Sequence, residues 1–141
     1  MASPLRISEA ASLGMHAAVM LAGSPRRRSA SGEMAAELGV SEAHLAKVLQ
    51  RLGKAGLVSS TRGPGGGFAL SRPAAAIRLL EVYEAIEGPL LTRKCLLGVP
   101  ACGASRCLLG SIVAEVDKRV RDYLAKTTLS QLRGLFRREE R

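Results

Sequence analysis

The sequence has no tryptophan, two tyrosines and two phenylalanines, so aromatic residues fill only 3% of its 141 positions. A core must then be assembled from Ala, Leu, Val, Ile and Met, a mix that favours helices over a β-sandwich. Cysteine is also scarce: three cannot pair completely within one chain, which argues against a disulfide framework. There is no membrane-length apolar run, because the uncharged stretch from Ala10 to Pro25 is shorter than the roughly 20 residues a bilayer requires. The first 25 residues have the outline of a secretory leader, but Glu9 and His16 interrupt it. The expectation is a soluble cytoplasmic protein with no membrane partner. No nucleophile stands with a base, and the two histidines, His16 and His44, have no evident catalytic neighbour, so an enzyme is not expected.

Acidic residues are outnumbered 12 to 21 by Lys and Arg, giving a formal charge of +9. That balance attracts a polyanion, nucleic acid first. The excess is shared between the two halves of the chain, so its local placement matters more than the total.

With 47% apolar residues the chain can build one packed core. Ser8 is placed to cap a first helix whose apolar positions are Ala10, Leu13, Ala17, Met20 and Leu21. A basic linker, Arg26 to Arg28, is either a phosphate contact or solvated. Ser31 is expected to cap a short helix closed by Gly39, and Ser41 a third helix with an apolar stripe of Leu45, Val48, Leu49 and Leu52. Leu57 to Thr61, the turn Arg62 to Gly67 and Phe68 to Leu70 spell strand, glycine-rich turn, strand. A fourth helix through Leu79, Val82 and Ile86 stops at Gly88-Pro89. The longest pattern runs from Leu108 to Lys126, with Leu109, Ile112, Val116, Val120 and Tyr123 along one side, and a capping box at Thr128 and Gln131 opens a last short helix. No solenoid repeat is present.

The fold class expected is therefore mainly α with a small β-hairpin wing: a winged helix-turn-helix followed by a long C-terminal dimerisation helix. The division is 1–88 for the DNA-binding part, 89–107 for a cysteine-bearing loop and 108–141 for the dimerisation and terminal helices. On the third helix Ala43 and Ala46 permit close approach to a major groove. Ser41, His44, Lys47 and Gln50 can donate to bases or phosphates, and Arg51 and Lys54 to phosphate. In the wing, Arg62 suits a narrow minor groove, and Gly65 and Gly66 let the backbone come close. A plain solvated face is the alternative. A phosphate loop is not, because no Gly-Lys-Ser/Thr follows the glycines.

Cys95, Cys102 and Cys107 are spaced Cys-x(6)-Cys-x(4)-Cys, with Gly98, Pro100 and Gly103 between them, so the loop can fold the sulfurs towards one point. Arg93, Lys94 and Arg106 would favour thiolate, the form that ligates metal or reacts with oxidants. An iron-sulfur site, tetrahedral zinc with an outside fourth ligand and three unligated thiols all remain open.

Several segments resemble the IscR/NsrR-type winged-helix regulators. They are Leu5 to Ser8, Met34 to Ser41, Leu45 to Leu52, Lys54 to Val58, the wing Arg62 to Pro73 and the helix from Ile77 to Gly88. The wing is the most specific of these. The resemblance implies a bacterial homodimer on a pseudo-palindromic double-stranded operator. It further implies a repressor that senses redox state, nitric oxide or iron-sulfur status through a 2Fe-2S or 4Fe-4S cluster on the three cysteines. In some members helix 1 of the partner subunit completes the coordination; here Glu9, Ser12 and His16 fall along one side of that helix, and His16 is the preferred fourth ligand. The cysteine spacing departs from the family's commonest one, and Gly110 stands where some members place a histidine. The alternatives are a cluster-free thiol-redox or zinc-dependent DNA-binding regulator, and a winged-helix module that binds protein.

Overall fold

The computed structural model describes residues 5–24, 28–91, 95, 97, 102 and 107–136. The chain winds around its first helix, α1 (Glu9–Ala22). Ser8 caps α1 by accepting from the Ala11 N–H at 3.0 Å, and its hydroxyl donates to the Glu87 carboxylate. Nine of the fourteen α1 residues are buried, among them every residue from Ala17 to Ala22. The uncharged stretch that outlines a leader is thus a core helix, apolar nearly all round because neighbours pack on most of its sides. Gly14 makes the tightest approach: a Cβ there would lie 3.2 Å from Ile86 and 3.4 Å from Val48.

Helix α2 (Ser31–Leu38) and helix α3 (Glu42–Lys54) form the helix-turn-helix. Between them Gly39 adopts φ 68°, a left-handed conformation natural to glycine, and the Val40 N–H returns to the Ala35 carbonyl at 3.0 Å. Ser41 caps α3 as expected, accepting from the His44 N–H, and Leu45, Val48, Leu49 and Leu52 are all buried. Ser31 does not cap α2. Ala30 holds that position without a side-chain bond, and the Ser31 hydroxyl donates to Glu42 at 2.8 Å instead.

Strands β1 (Val58–Thr61) and β2 (Gly67–Leu70) pair antiparallel from Val58↔Leu70 to Thr61↔Gly67. Ser29 adds a one-residue bridge on the outer edge of β2, exchanging two 2.9 Å backbone bonds with Phe68. A 3-10 turn (Ala74–Ala76) leads to α4 (Leu79–Glu87), whose start is fixed by Glu81 accepting from the Arg78 N–H. Glu81 also pairs with Arg72 at 2.7 Å.

Helix α5 (Ile112–Lys126) begins four residues later than the apolar pattern suggests. Gly110 takes φ 60° and donates to the Cys107 carbonyl, so residues 108–111 are spent on a turn. Helix α6 (Leu129–Leu132) is a single turn, with Gln131 accepting from the Thr128 N–H. The link between α5 and α6 pairs with the link before α4, through Leu79 N–H to Thr127 O and Leu129 N–H to Ile77 O, both 2.9 Å. Leu124 and Leu129 thereby join the same core as Met34, Leu45, Leu49, Leu52, Ile77 and Val82. The architecture is mainly α with a two-stranded wing. Among the described residues no helix is long and apolar enough to cross a membrane.

Candidate nucleic-acid interface and cysteine loop

The side of α3 away from its buried stripe carries Ala43, Lys47, Gln50 and Lys54, all exposed, at helical spacings of four, three and four. Ala46 and His44 flank this face and are half-buried. Ser41 is exposed at the N-terminal end; the oxygen that caps the helix still carries a proton it can donate to a phosphate. Arg51 is turned elsewhere than the phosphate contact expected for it: its guanidinium donates to the Ile86 carbonyl in the last turn of α4, at 3.4 Å. That carbonyl belongs to a helix end, whose last four have no partner within the helix, and this draws the cation away from the reading face.

The two helices are tied at their starts by Ser31 and Glu42. The carboxylate lies 3.5 Å from the Cβ position of Gly32, so glycine leaves room for a negative charge over the first turn of α2. This pair spans eleven residues, and no local sequence pattern announces it.

At the wing, Arg62 follows the last paired residue of β1 and is exposed. Gly65 sits at φ 72° with open space around its Cβ position, as close approach to a duplex requires. Gly66 has another task. A Cβ there would stand 2.2 Å from the Thr61 carbonyl oxygen, so the turn itself demands glycine. Of the basic linker, Arg26 and Arg27 lie outside the described residues. Arg28 is bound to the wing, donating to the carbonyls of Ser59 and Gly67 at 3.4 Å.

The three cysteines are thiols; Cys95 is half-buried, Cys102 and Cys107 are exposed. Arg93, Lys94, Gly98, Pro100, Gly103 and Arg106 lie outside the described residues. In kind the donors suit a thiophilic metal centre. In placement they are not gathered, for among the described residues no three His, Cys, Asp or Glu side chains converge where a metal could sit. Thiol sulfurs have little to draw them together other than the metal bond itself, since binding energy at such sites is folding energy. His16 is exposed on α1, away from any such cluster. Its ring meets Phe136 edge-on at 6.2 Å, and Nδ1 is 2.6 Å from the Ser12 carbonyl. A carbonyl only accepts, so this contact has Nδ1 donating and leaves Nε2 as the ring nitrogen that could ligate. The loop's first turn is anchored at Leu90, whose N–H donates to Glu84 at 3.2 Å and whose carbonyl accepts from Arg121.

Comparison with known proteins agrees with this geometry. Residues 7–134 match the Rrf2 family, described as iron-dependent transcriptional regulators. The HTH-type transcriptional regulator IscR of Xenorhabdus nematophila is 37% identical over 95 residues, 67% of this chain and 57% of that protein. The matched stretch thus spans little more than half of that relative's length. Among solved structures, CymR of B. subtilis, described as its global cysteine regulator, superposes with a TM-score of 0.78. It is 25% identical, over 94% of this chain and 99% of that one. T. potens IscR shares the fold at a TM-score of 0.71 and 24% identity, over 94% and 89%. These are regulators and not enzymes. The chain belongs to the Rrf2 family of winged-helix transcriptional regulators.

Proposed function

We propose that this chain is a cytoplasmic, DNA-binding transcription regulator that acts as a homodimer and is set by the sulfur chemistry of Cys95, Cys102 and Cys107. The observation that carries the reading is the exposed face of α3, Ala43, Lys47, Gln50 and Lys54, packed beside a wing that ends in Arg62. Ala43 lets the helix near the floor of a major groove. Lys47 and Gln50 then reach base edges or phosphates, Lys54 meets phosphate, and Arg62 enters the adjoining minor groove.

Two such heads need a two-fold partner. Helix α5 supports one, because Leu109, Ile112, Val116 and Tyr123 on and just before it are 41, 49, 42 and 58% exposed in a single chain. A groove of about 470 Å³ between α1, α5 and the α6 region, lined by Val19, Leu124 and Phe136 among others, extends that apolar surface. A second copy on this face gives a pseudo-palindromic operator.

Cys95, Cys102 and Cys107 would hold an iron-sulfur cluster of the 2Fe-2S or 4Fe-4S kind, with the Nε2 of His16 from a second copy as candidate fourth ligand. When bound, such a group supplies an oxidant-sensitive centre. The family description as iron-dependent supports this reading. Anaerobic purification with iron, sulfide and visible-absorption analysis tests it, alongside duplex titrations in each state. Iron and sulfide that disappear in Cys102→Ala, with a change in duplex affinity, are expected. No duplex binding at low ionic strength in any metal or oxidation state would overturn it. A second reading, thiols acting without a cluster or holding zinc, is favoured by the ungathered sulfurs, those of Cys102 and Cys107 exposed, and by the likeness to the cysteine regulator CymR. A diamide-dependent change in binding by iron-free protein would select it.

A further inference from the structure

We infer that Glu84 and Arg121 form a clamp on the backbone of Leu90 that passes the state of the cysteine loop to the reading helix; this rests on the sensor reading above. Leu90 stands two residues past the glycine that ends α4 and five before Cys95. Both its polar backbone groups are taken by charged side chains: the N–H by Glu84 of α4 and the carbonyl by Arg121 of α5. Loop backbone ordinarily turns to water, and hydrogen bonds to ionised groups are roughly twice as strong as neutral ones. The two helices flanking the loop thus hold its entry point between them.

The path continues into the DNA-reading unit. Glu84 lies in the last turn of α4, where the Ile86 carbonyl accepts from Arg51 of α3. The Ile86 side chain is buried, and it and Val48 of α3 both border the position a Cβ on Gly14 would take, at 3.2 and 3.4 Å. A pull on the loop that moves Leu90 therefore loads the turn of α4 whose Ile86 carbonyl holds Arg51 of α3 and whose Ile86 side chain borders the same point as Val48. The assignment is tested by linkage.

The measurement is the ratio of affinities for a promoter duplex that wild-type protein binds, between reduced metal-free protein and protein reconstituted with ferrous iron and sulfide or treated with diamide. Wild type should show a ratio in the range of about 5- to 150-fold usual for two-site coupling. In Arg121→Gln and Glu84→Ala the ratio should fall towards one, while reduced metal-free protein binds DNA within about twofold of wild type. Arg121→Lys, which keeps a cationic donor, should restore part of it. Amide exchange at Leu90 should be slow in wild type and fast in Glu84→Ala, which removes the acceptor of that N–H. A wild-type ratio of one would sink the sensor reading and the clamp's role with it. A wild-type ratio well above one that persists in both clamp variants would overturn the clamp alone.

Discussion

Arg62→Ala should weaken duplex binding chiefly by flattening its dependence on salt. The arginine is exposed and stands one residue beyond the last ladder pair, Thr61↔Gly67, so its removal leaves the hairpin register intact. Each phosphate contact contributes about 0.9 to the slope of log affinity against log salt, so two wings of a dimer contribute about 1.8. Over a fourfold rise in salt, from about 50 to about 200 mM, wild type should then lose roughly 12-fold more affinity than the variant. Fluorescence-anisotropy titrations of one labelled duplex at four salt concentrations read both slopes. Arg62→Lys separates two roles: a phosphate contact keeps its slope, whereas an arginine fitted to a narrow minor groove loses preference for A·T-rich flanks. Equal slopes for wild type and Arg62→Ala would refute the placement of the wing on DNA.

Other changes test different layers. Gly66→Ala drives a Cβ to 2.2 Å from the Thr61 oxygen, so the wing must open; a stability loss of about 1–3 kcal/mol and a larger affinity loss than Arg62→Ala are expected, by thermal melts and anisotropy. Leu49→Ala empties a site that is fully buried in the α3 stripe, and should cost about 2–5 kcal/mol in denaturant unfolding. At Glu81, burial raises the carboxyl pKa, but the Arg72 hydrogen bond and charge and the Arg78 N–H outweigh it and hold the pKa below its ordinary value. A depressed folded pKa stabilises above the unfolded value and is lost as pH falls through the folded one. Glu81→Gln should therefore cost about 0.2–1 kcal/mol near neutrality, as a half-exposed ion pair does, with the gap to wild type closing below the carboxylate range. Unfolding curves of both proteins across that range give the answer.

What could be read from the sequence was local. The cap at Ser41, the stripe from Leu45 to Leu52, the left-handed Gly39 and the glycine wing each depend on neighbours within a few residues, and each is where periodicity and turn chemistry put it. The misplacements have two physical sources. One is a competing local signal: the apolar pattern before α5 is helical in spacing, but Gly110 in the left-handed region turns the chain first. The other is distance along the chain. Ser31 prefers a carboxylate eleven residues away to its own helix end, Arg28 is drawn to wing carbonyls thirty-one and thirty-nine residues on, and Arg51 to a helix end thirty-five residues on. The convergence of the cysteines was expected from spacing and resemblance, and spacing alone supplies no attraction between exposed thiols.

The lack of aromatics, which first pointed to a helical core, also bears on how such a regulator could switch. With Ala11, Gly14, Ala17 and Ala18 along α1, the helices that pack on it approach closely, and no aromatic ring is among the fully buried residues; Phe68, Tyr83 and Phe136 pack only at the core's margin. Close-packed interiors of small side chains transmit strain because they have no slack volume to take it up. Ile86 of α4 and Val48 of α3 lie 3.2 Å and 3.4 Å from the one point where a Cβ on Gly14 would stand, so both helices border the space that the glycine leaves. The reading helix's own stripe from Leu45 to Leu52 is buried in that same core. Gly14→Ala, by filling that point, would then alter how α4 and α3 move together without touching either the sulfurs or the DNA-reading face.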